Sequence, residues 1–122
     1  GSARVVAGGL SFPNGMAITP DGKTLIVAET MGHRLTAFDI LADGGLANRR
    51  VYAQLAGDVS PDGISLDAEG GVWIANPEGQ HAVLRVLEGG EVTDAKTLIG
   101  LLWLQKWQAG RWPLSWQPPP AL

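Results

Sequence analysis

Phe12-Pro-Asn-Gly-Met-Ala-Ile-Thr-Pro-Asp-Gly-Lys-Thr-Leu-Ile-Val-Ala-Glu-Thr30 decides the fold, because the sequence uses its pattern twice. Pro13-Asn14-Gly15 returns as Pro61-Asp62-Gly63, a spacing of 48 residues. Each triplet is followed by a short apolar run, then a turn pair, Asp21-Gly22 or Glu69-Gly70. Glycine after an acidic residue tolerates the positive φ of a tight turn. The next runs, Leu25 to Ala28 and Val72 to Ala75, are continuously apolar, as in a strand buried on both faces. His33 to Phe38 aligns with His81 to Val86 at the same spacing, and Asp43-Gly44-Gly45 and Glu88-Gly89-Gly90 close the next turns. A period of about 40–50 residues with about four short strands per unit fits a propeller blade.

Outward from the repeat, strands are predicted near 4–8, 16–19, 25–29, 34–40, 50–54, 63–67, 72–75, 82–87 and 91–98. Leu35, Ala37 and Ile40 roughly alternate with polar residues, which suits a more exposed strand. No window in this body has helical periodicity. The fold class is all-β: a partial β-propeller of about two four-stranded blades plus an extra strand.

The chain is 122 residues long, with 9 basic and 12 acidic residues, a net charge of −3, and 45% hydrophobic content. Such a length and composition support one domain with a buried core. The acidic balance argues against nucleic acid or an anionic membrane as partner. With 0 Cys, disulfides, zinc–thiolate sites and thiol catalysis are excluded. Residues 1–3 read as a cloning scar and lead-in, residues 4–98 as the two blades, and residues 99–122 as a divergent tail. That tail has no acid and carries four of the five Trp and four of the eight Pro. Ile99, Trp103 and Trp107 share a helical face there, although Leu101 to Leu104 suits a strand equally well. Its apolar run is too short to span a membrane, and Gln105 and Lys106 interrupt it. No signal peptide is evident, so a soluble, cytoplasmic protein is expected.

Phe12 to Thr30, together with Gly57-Asp-Val-Ser-Pro-Asp-Gly-Ile-Ser-Leu-Asp-Ala-Glu-Gly-Gly-Val-Trp-Ile-Ala-Asn76, resembles successive blades of the gluconolactonase / senescence marker protein / luciferin-regenerating enzyme family. The likeness covers about residues 4–98. It implies a six-bladed propeller, one divalent metal in the central channel, and hydrolysis of lactones of sugar acids. Asn14 and Asp62 occupy equivalent repeat positions, and an amide oxygen beside a carboxylate suits a hard cation. By the resemblance, Asn14 matches a metal ligand and Asp62 the ligand that also serves as general base. The metal, whether Ca²⁺, Mg²⁺, Mn²⁺ or Zn²⁺, would polarise the lactone carbonyl while Asp62 activates water. A plainer reading stands beside this one: Asn-Gly and Asp-Gly are good turns.

The resemblance also assigns the metal a Glu and a second Asn from earlier blades, and no residue before Arg4 supplies them. Weak or absent metal binding and little native-like activity are therefore expected of this chain alone. Other candidates fare worse. His33 and His81 follow loop residues and suit solvated turns. Glu29 ends an apolar run and reads as a solvated strand end, Asp21 and Asp67 belong to turns, and Asn76 reads as a strand exit. Ser2, Ser11, Ser60, Ser65 and Ser115 lie in no Gly-x-Ser-x-Gly elbow. Two blades leave apolar faces open, so self-association into a closed ring is expected. A non-catalytic binding or self-assembly module is the alternative, and protein-recognition repeats, which share Pro-Asp-Gly-Lys turns, are a third.

Overall fold

The computed structural model describes residues 1–79, 81–90 and 92–94. Two antiparallel meanders make up this part of the chain. The first runs β1 (Pro13–Ile18), β2 (Thr24–Glu29), β3 (Arg34–Ile40) and β4 (Leu46–Gln54). The second runs β5 (Ile64–Leu66), β6 (Val72–Asn76), β7 (Ala82–Val86) and β8 (Val92–Asp94). Neighbours in sequence are neighbours in the sheet throughout, which is the blade topology the period predicts. The described residues contain no helix.

The turns form where glycine permits them. Gly22 and Gly70 take φ values of +72° and +82° after β1 and β5. Asp21 accepts from the Lys23 amide at 2.9 Å and from the Thr19 hydroxyl at 2.7 Å. Asp67 accepts from the Gly71 and Glu69 amides at 2.8 and 3.0 Å. These side-chain bonds close the loop locally, so the two strands leave it in register.

The core lies between the sheets. Ile26, Ala28, Leu35 and Ala53 face Val72, Ile74, Leu84 and Val86, with Leu55 and Val59 from the connecting segment. Burying a side chain such as Ile74 or Leu35 contributes about 1.5–3 kcal/mol. The opposite face of the first sheet carries Val27, Thr36 and Phe38, which are also buried. The chain before β1 is held against this side. Arg49 donates to the Gly8 and Gly9 carbonyls at 2.8 and 3.0 Å and lies 5.9 Å from the Phe38 ring centre.

Several expectations need correction. Residues 4–8 form no strand; they pair with no neighbour and are held only through contacts such as Arg4 to the Asp43 carbonyl at 2.9 Å. β4 begins at Leu46, well before the predicted 50, and β1 begins at Pro13, with an irregular register between Pro13 and Met16. β3 is not an exposed strand: Leu35, Thr36, Ala37 and Phe38 are all buried, because the lead-in adds cover on the side away from the second sheet. The predicted strand at 91–98 appears as β8, and positions 95–98 and the tail at 99–122 lie outside the described residues.

Glu29 is the largest departure. It is fully buried rather than solvated. Arg34 donates to both its oxygens at 2.8 Å, the Ser11 amide donates at 2.7 Å, the Thr36 hydroxyl also donates, and Arg49 stands 3.8 Å away. A buried carboxylate is tolerable only with such partners. The Arg34 bonds lead in pulling its pKa from 4.5 down to about 2, against the opposing effect of burial.

The structure sets two expected outcomes. A carboxylate whose pKa is depressed on folding adds stability above its unfolded pKa and loses it as pH falls through the folded value. Thermal melts should therefore show Tm falling between about pH 4.5 and 2, with part of that slope removed in Glu29→Gln. The second concerns Gly15. A Cβ there would sit 2.4 Å from the Asp62 carbonyl oxygen and 2.7 Å from the Ile64 nitrogen, both backbone atoms of the other sheet. Gly15→Ala should cost about 1–3 kcal/mol in denaturant unfolding, as overpacking typically does, whereas Gly63→Ala, with nothing within 4 Å, should be tolerated far better.

Candidate functional site

The two triplets meet. Asn14-Gly15 opens β1, Asp62-Gly63 immediately precedes β5, and the Gly15 amide donates to the Asp62 carbonyl at 3.0 Å. The close approach exists because residue 15 has no side chain to hold the strands apart. The Asp62 segment is fixed on its other side by β6: the Asp62 amide donates to Ala75 at 3.0 Å, and the Ala75 amide donates to Gly63 at 2.9 Å. Both triplets thus lie at the same end of their blades, at the start of the first, edge strand of each.

Asn14 is exposed, and Asp62 is half-buried. The Asn14 amide nitrogen donates to the Thr30 hydroxyl at 3.3 Å, and that hydroxyl donates to the Pro61 carbonyl at 2.7 Å. Asp62 takes part in no ion pair among the described residues, so its carboxylate is not committed to a neighbouring Lys or Arg there. An amide oxygen and a carboxylate are hard donors of the type that suits Ca²⁺ or Mg²⁺. In kind they fit the cation; in number they are two of the six or more oxygens Ca²⁺ takes. Among the described residues, no three His, Cys, Asp or Glu converge on one point.

The remaining sequence candidates fall into structural roles. Asn76, buried at the end of β6, accepts from the Ser60 amide at 3.0 Å and donates to the Asp58 carbonyl at 3.5 Å. Glu29 and Asn76 end the second strand of their blades, and each receives an amide from the segment leading to its triplet. Sequence reasoning missed this shared job; the signal was their matched place after Ala28 and Ala75.

His33 and His81 occupy left-handed turn positions, with φ of +50° and +47°. Their Nδ1 atoms lie 2.8 Å from the Val59 carbonyl and 2.6 Å from the Pro77 carbonyl, so each ring is tied to a loop. Asp67 has a second role beyond its turn. Its other oxygen accepts from Arg85 at 2.6 Å and the Trp73 indole at 2.7 Å. The Arg85 bond, chiefly, holds its pKa far below the ordinary value. The Thr19 and Lys23 bonds lower that of Asp21. Ser60 hydrogen-bonds Glu78 at 2.8 Å. A cleft of about 550 Å³ opens at the far end of β1 from Asn14, lined by Thr19, Arg50, Tyr52, Asp67 and Glu88 among others. It does not include either triplet.

Comparison with known proteins places this geometry in a context. Residues 1–98 match the model of the SMP-30/Gluconolactonase/LRE-like region. A 6-deoxy-6-sulfogluconolactonase from Pseudomonas putida is 32% identical over 94 residues, covering 75% of this chain and 32% of the relative. A gluconolactonase structure from Xanthomonas campestris superposes with a TM-score of 0.55 at 36% identity, over 68% of this chain and 27% of the other. A calcium-binding protein, regucalcin, from Agrobacterium tumefaciens gives a TM-score of 0.58 at 31% identity, over 69% of this chain and 29% of the other. The chain thus spans about a third of the length of these relatives. Two adjoining blades, with repeat-equivalent triplets in contact at one end, belong to the SMP-30/gluconolactonase/LRE-like family.

Proposed function

We propose that these blades carry part of a metal-dependent lactonase site, with Asn14 and Asp62 as oxygen ligands and Asp62 as general base. The meeting of the two triplets through Gly15 and Asp62 is the observation that supports it most. A relative described as calcium-binding and relatives described as gluconolactonases agree with that chemistry. A bound divalent cation would supply Lewis-acid polarisation of the lactone carbonyl.

Within the chain, Asn14 presents a neutral oxygen, and Asp62 presents a carboxylate that no arginine or lysine among the described residues neutralises. The carboxylate accepts a proton from water as its oxygen adds to the lactone carbonyl carbon. The ring C–O bond then breaks, and the proton held by Asp62 passes to the leaving alkoxide, giving the open hydroxy acid and restoring the carboxylate. Two ligands make a weak site on their own, so the chain alone is a poor catalyst and further blades, or further copies, complete the ligand set.

The test is hydrolysis of gluconolactone with added Ca²⁺, Mn²⁺ or Zn²⁺. Metal-stimulated turnover is expected, low in absolute terms, and Asp62→Asn should reduce it about 100-fold, the lower range for loss of a general base. Turnover that is metal-independent, or unchanged in Asp62→Asn, contradicts the reading.

A second reading, self-assembly, has its own observation. Met16, Ile18 and Val51 project from one face of the first sheet and are 64%, 58% and 57% exposed. Apolar side chains left exposed at both edges of a sheet face gain by packing against another sheet, and a second copy of this chain offers one. Light scattering should then report a dimer or larger species at high micromolar concentration, with Ile18→Glu shifting it toward monomer. A wild-type monomer under those conditions rejects this reading.

A further inference from the structure

Thr30 follows directly on β2 and lies between the two triplets. Its amide donates to the Phe12 carbonyl at 3.1 Å, which fixes the backbone. Its hydroxyl oxygen is 2.7 Å from the Pro61 carbonyl oxygen and 3.3 Å from the Asn14 amide group. A hydroxyl has one proton to give. A carbonyl oxygen can only accept, so that proton goes to Pro61. What remains on the hydroxyl is lone pairs, and Asn14 must therefore offer its NH₂. The Asn14 carbonyl oxygen is then the end turned away from Thr30.

We infer that Thr30 is a positioning residue: its hydroxyl decides which end of the Asn14 carboxamide is presented as oxygen, and it locks that choice to the Pro61–Asp62 peptide of the next blade. This rests on the proposed reading of Asn14 and Asp62 as cation ligands. The repeat supports it through a difference. Ala28 matches Ala75, which sets Pro77 against Thr30, and the spacing of His33 and His81 sets Glu78 there; neither has a hydroxyl. The corresponding ligands differ in the same sense. The two oxygens of the Asp62 carboxylate are equivalent, and no partner is needed to choose between them. The two ends of the Asn14 amide are not equivalent; a flipped amide would point N–H donors at a cation. A hydroxyl is present in the blade whose ligand is an amide and missing in the blade whose ligand is a carboxylate.

Two readouts test this, one of which needs no metal. In ¹⁵N–¹H spectra the Asn14 NH₂ pair is identified by its loss in Asn14→Ala. One of its protons should be shifted downfield and slow to exchange in the wild-type protein and in Thr30→Ser, and ordinary in Thr30→Val, which keeps the β-branched shape without the hydroxyl. Calorimetry with Ca²⁺ should give an affinity lowered about tenfold in Thr30→Val, the low end for loss of a group that orients a ligand, and restored in Thr30→Ser. An Asn14 NH₂ pair with free-amide behaviour in the wild-type protein overturns the inference, even should Thr30→Val fail to fold. So does a pair unchanged in a folded Thr30→Val. Wild-type protein whose Asn14 signal depends on Thr30, yet is unmoved by saturating Ca²⁺, overturns the cation reading while supporting the positioning role.

Discussion

The Gly15 amide reaches the Asp62 carbonyl across the boundary between two sheets, and most of the molecule is arranged around that approach. Sheets packed through side chains ordinarily stand about 10 Å apart. Here β1 and the segment leading into β5 come together backbone to backbone, which only a residue without a Cβ allows. The sheets can splay outward from that point, and the space between them fills with Ile26, Leu35, Val72, Ile74, Leu84 and Val86. The same contact brings Asn14 and Asp62 to one end of adjacent blades. Packing and candidate chemistry therefore share a single geometric cause.

Polar side chains hold the segments that lead into each blade. Glu29 and Asn76 end equivalent strands, and both accept an amide from the chain approaching their triplet. One is a charged residue that requires Arg34, and the other is a neutral amide that does not. Glu29 carries an additional demand, since the lead-in from Gly8 to Phe12 crosses its side of the sheet. A carboxylate can satisfy Ser11, Thr36 and Arg34 together, which an amide could not do with its single acceptor oxygen.

The sequence made the blades legible because their pattern is local. Asp21-Gly22, Glu69-Gly70 and the continuous runs at Leu25–Ala28 and Val72–Ala75 each carry their own backbone preference, and the strands lie where these predict. The misses are non-local. Arg4 to Gly8 has β-rich composition yet no partner strand, and a strand needs a ladder as well as propensity. Thr36 looks polar and outward-facing, but it is buried on the Glu29 carboxylate, a contact set by register rather than by neighbours in sequence. Of the candidate site, the equivalence of Asn14 and Asp62 could be read from spacing alone. The Thr30 hydroxyl could not, because it acts on a residue 16 positions earlier and on a carbonyl 31 positions later.

The Gly15–Asp62 contact locks the two blades where β1 meets the segment leading into β5. Native-state hydrogen exchange at the Gly15 amide measures it directly. The lock predicts slow exchange, with protection comparable to the amides of β2 and β3, since opening it would require separating the sheets. A Gly15 amide exchanging at the rate of an exposed loop, while β2 and β3 remain protected, would contradict it.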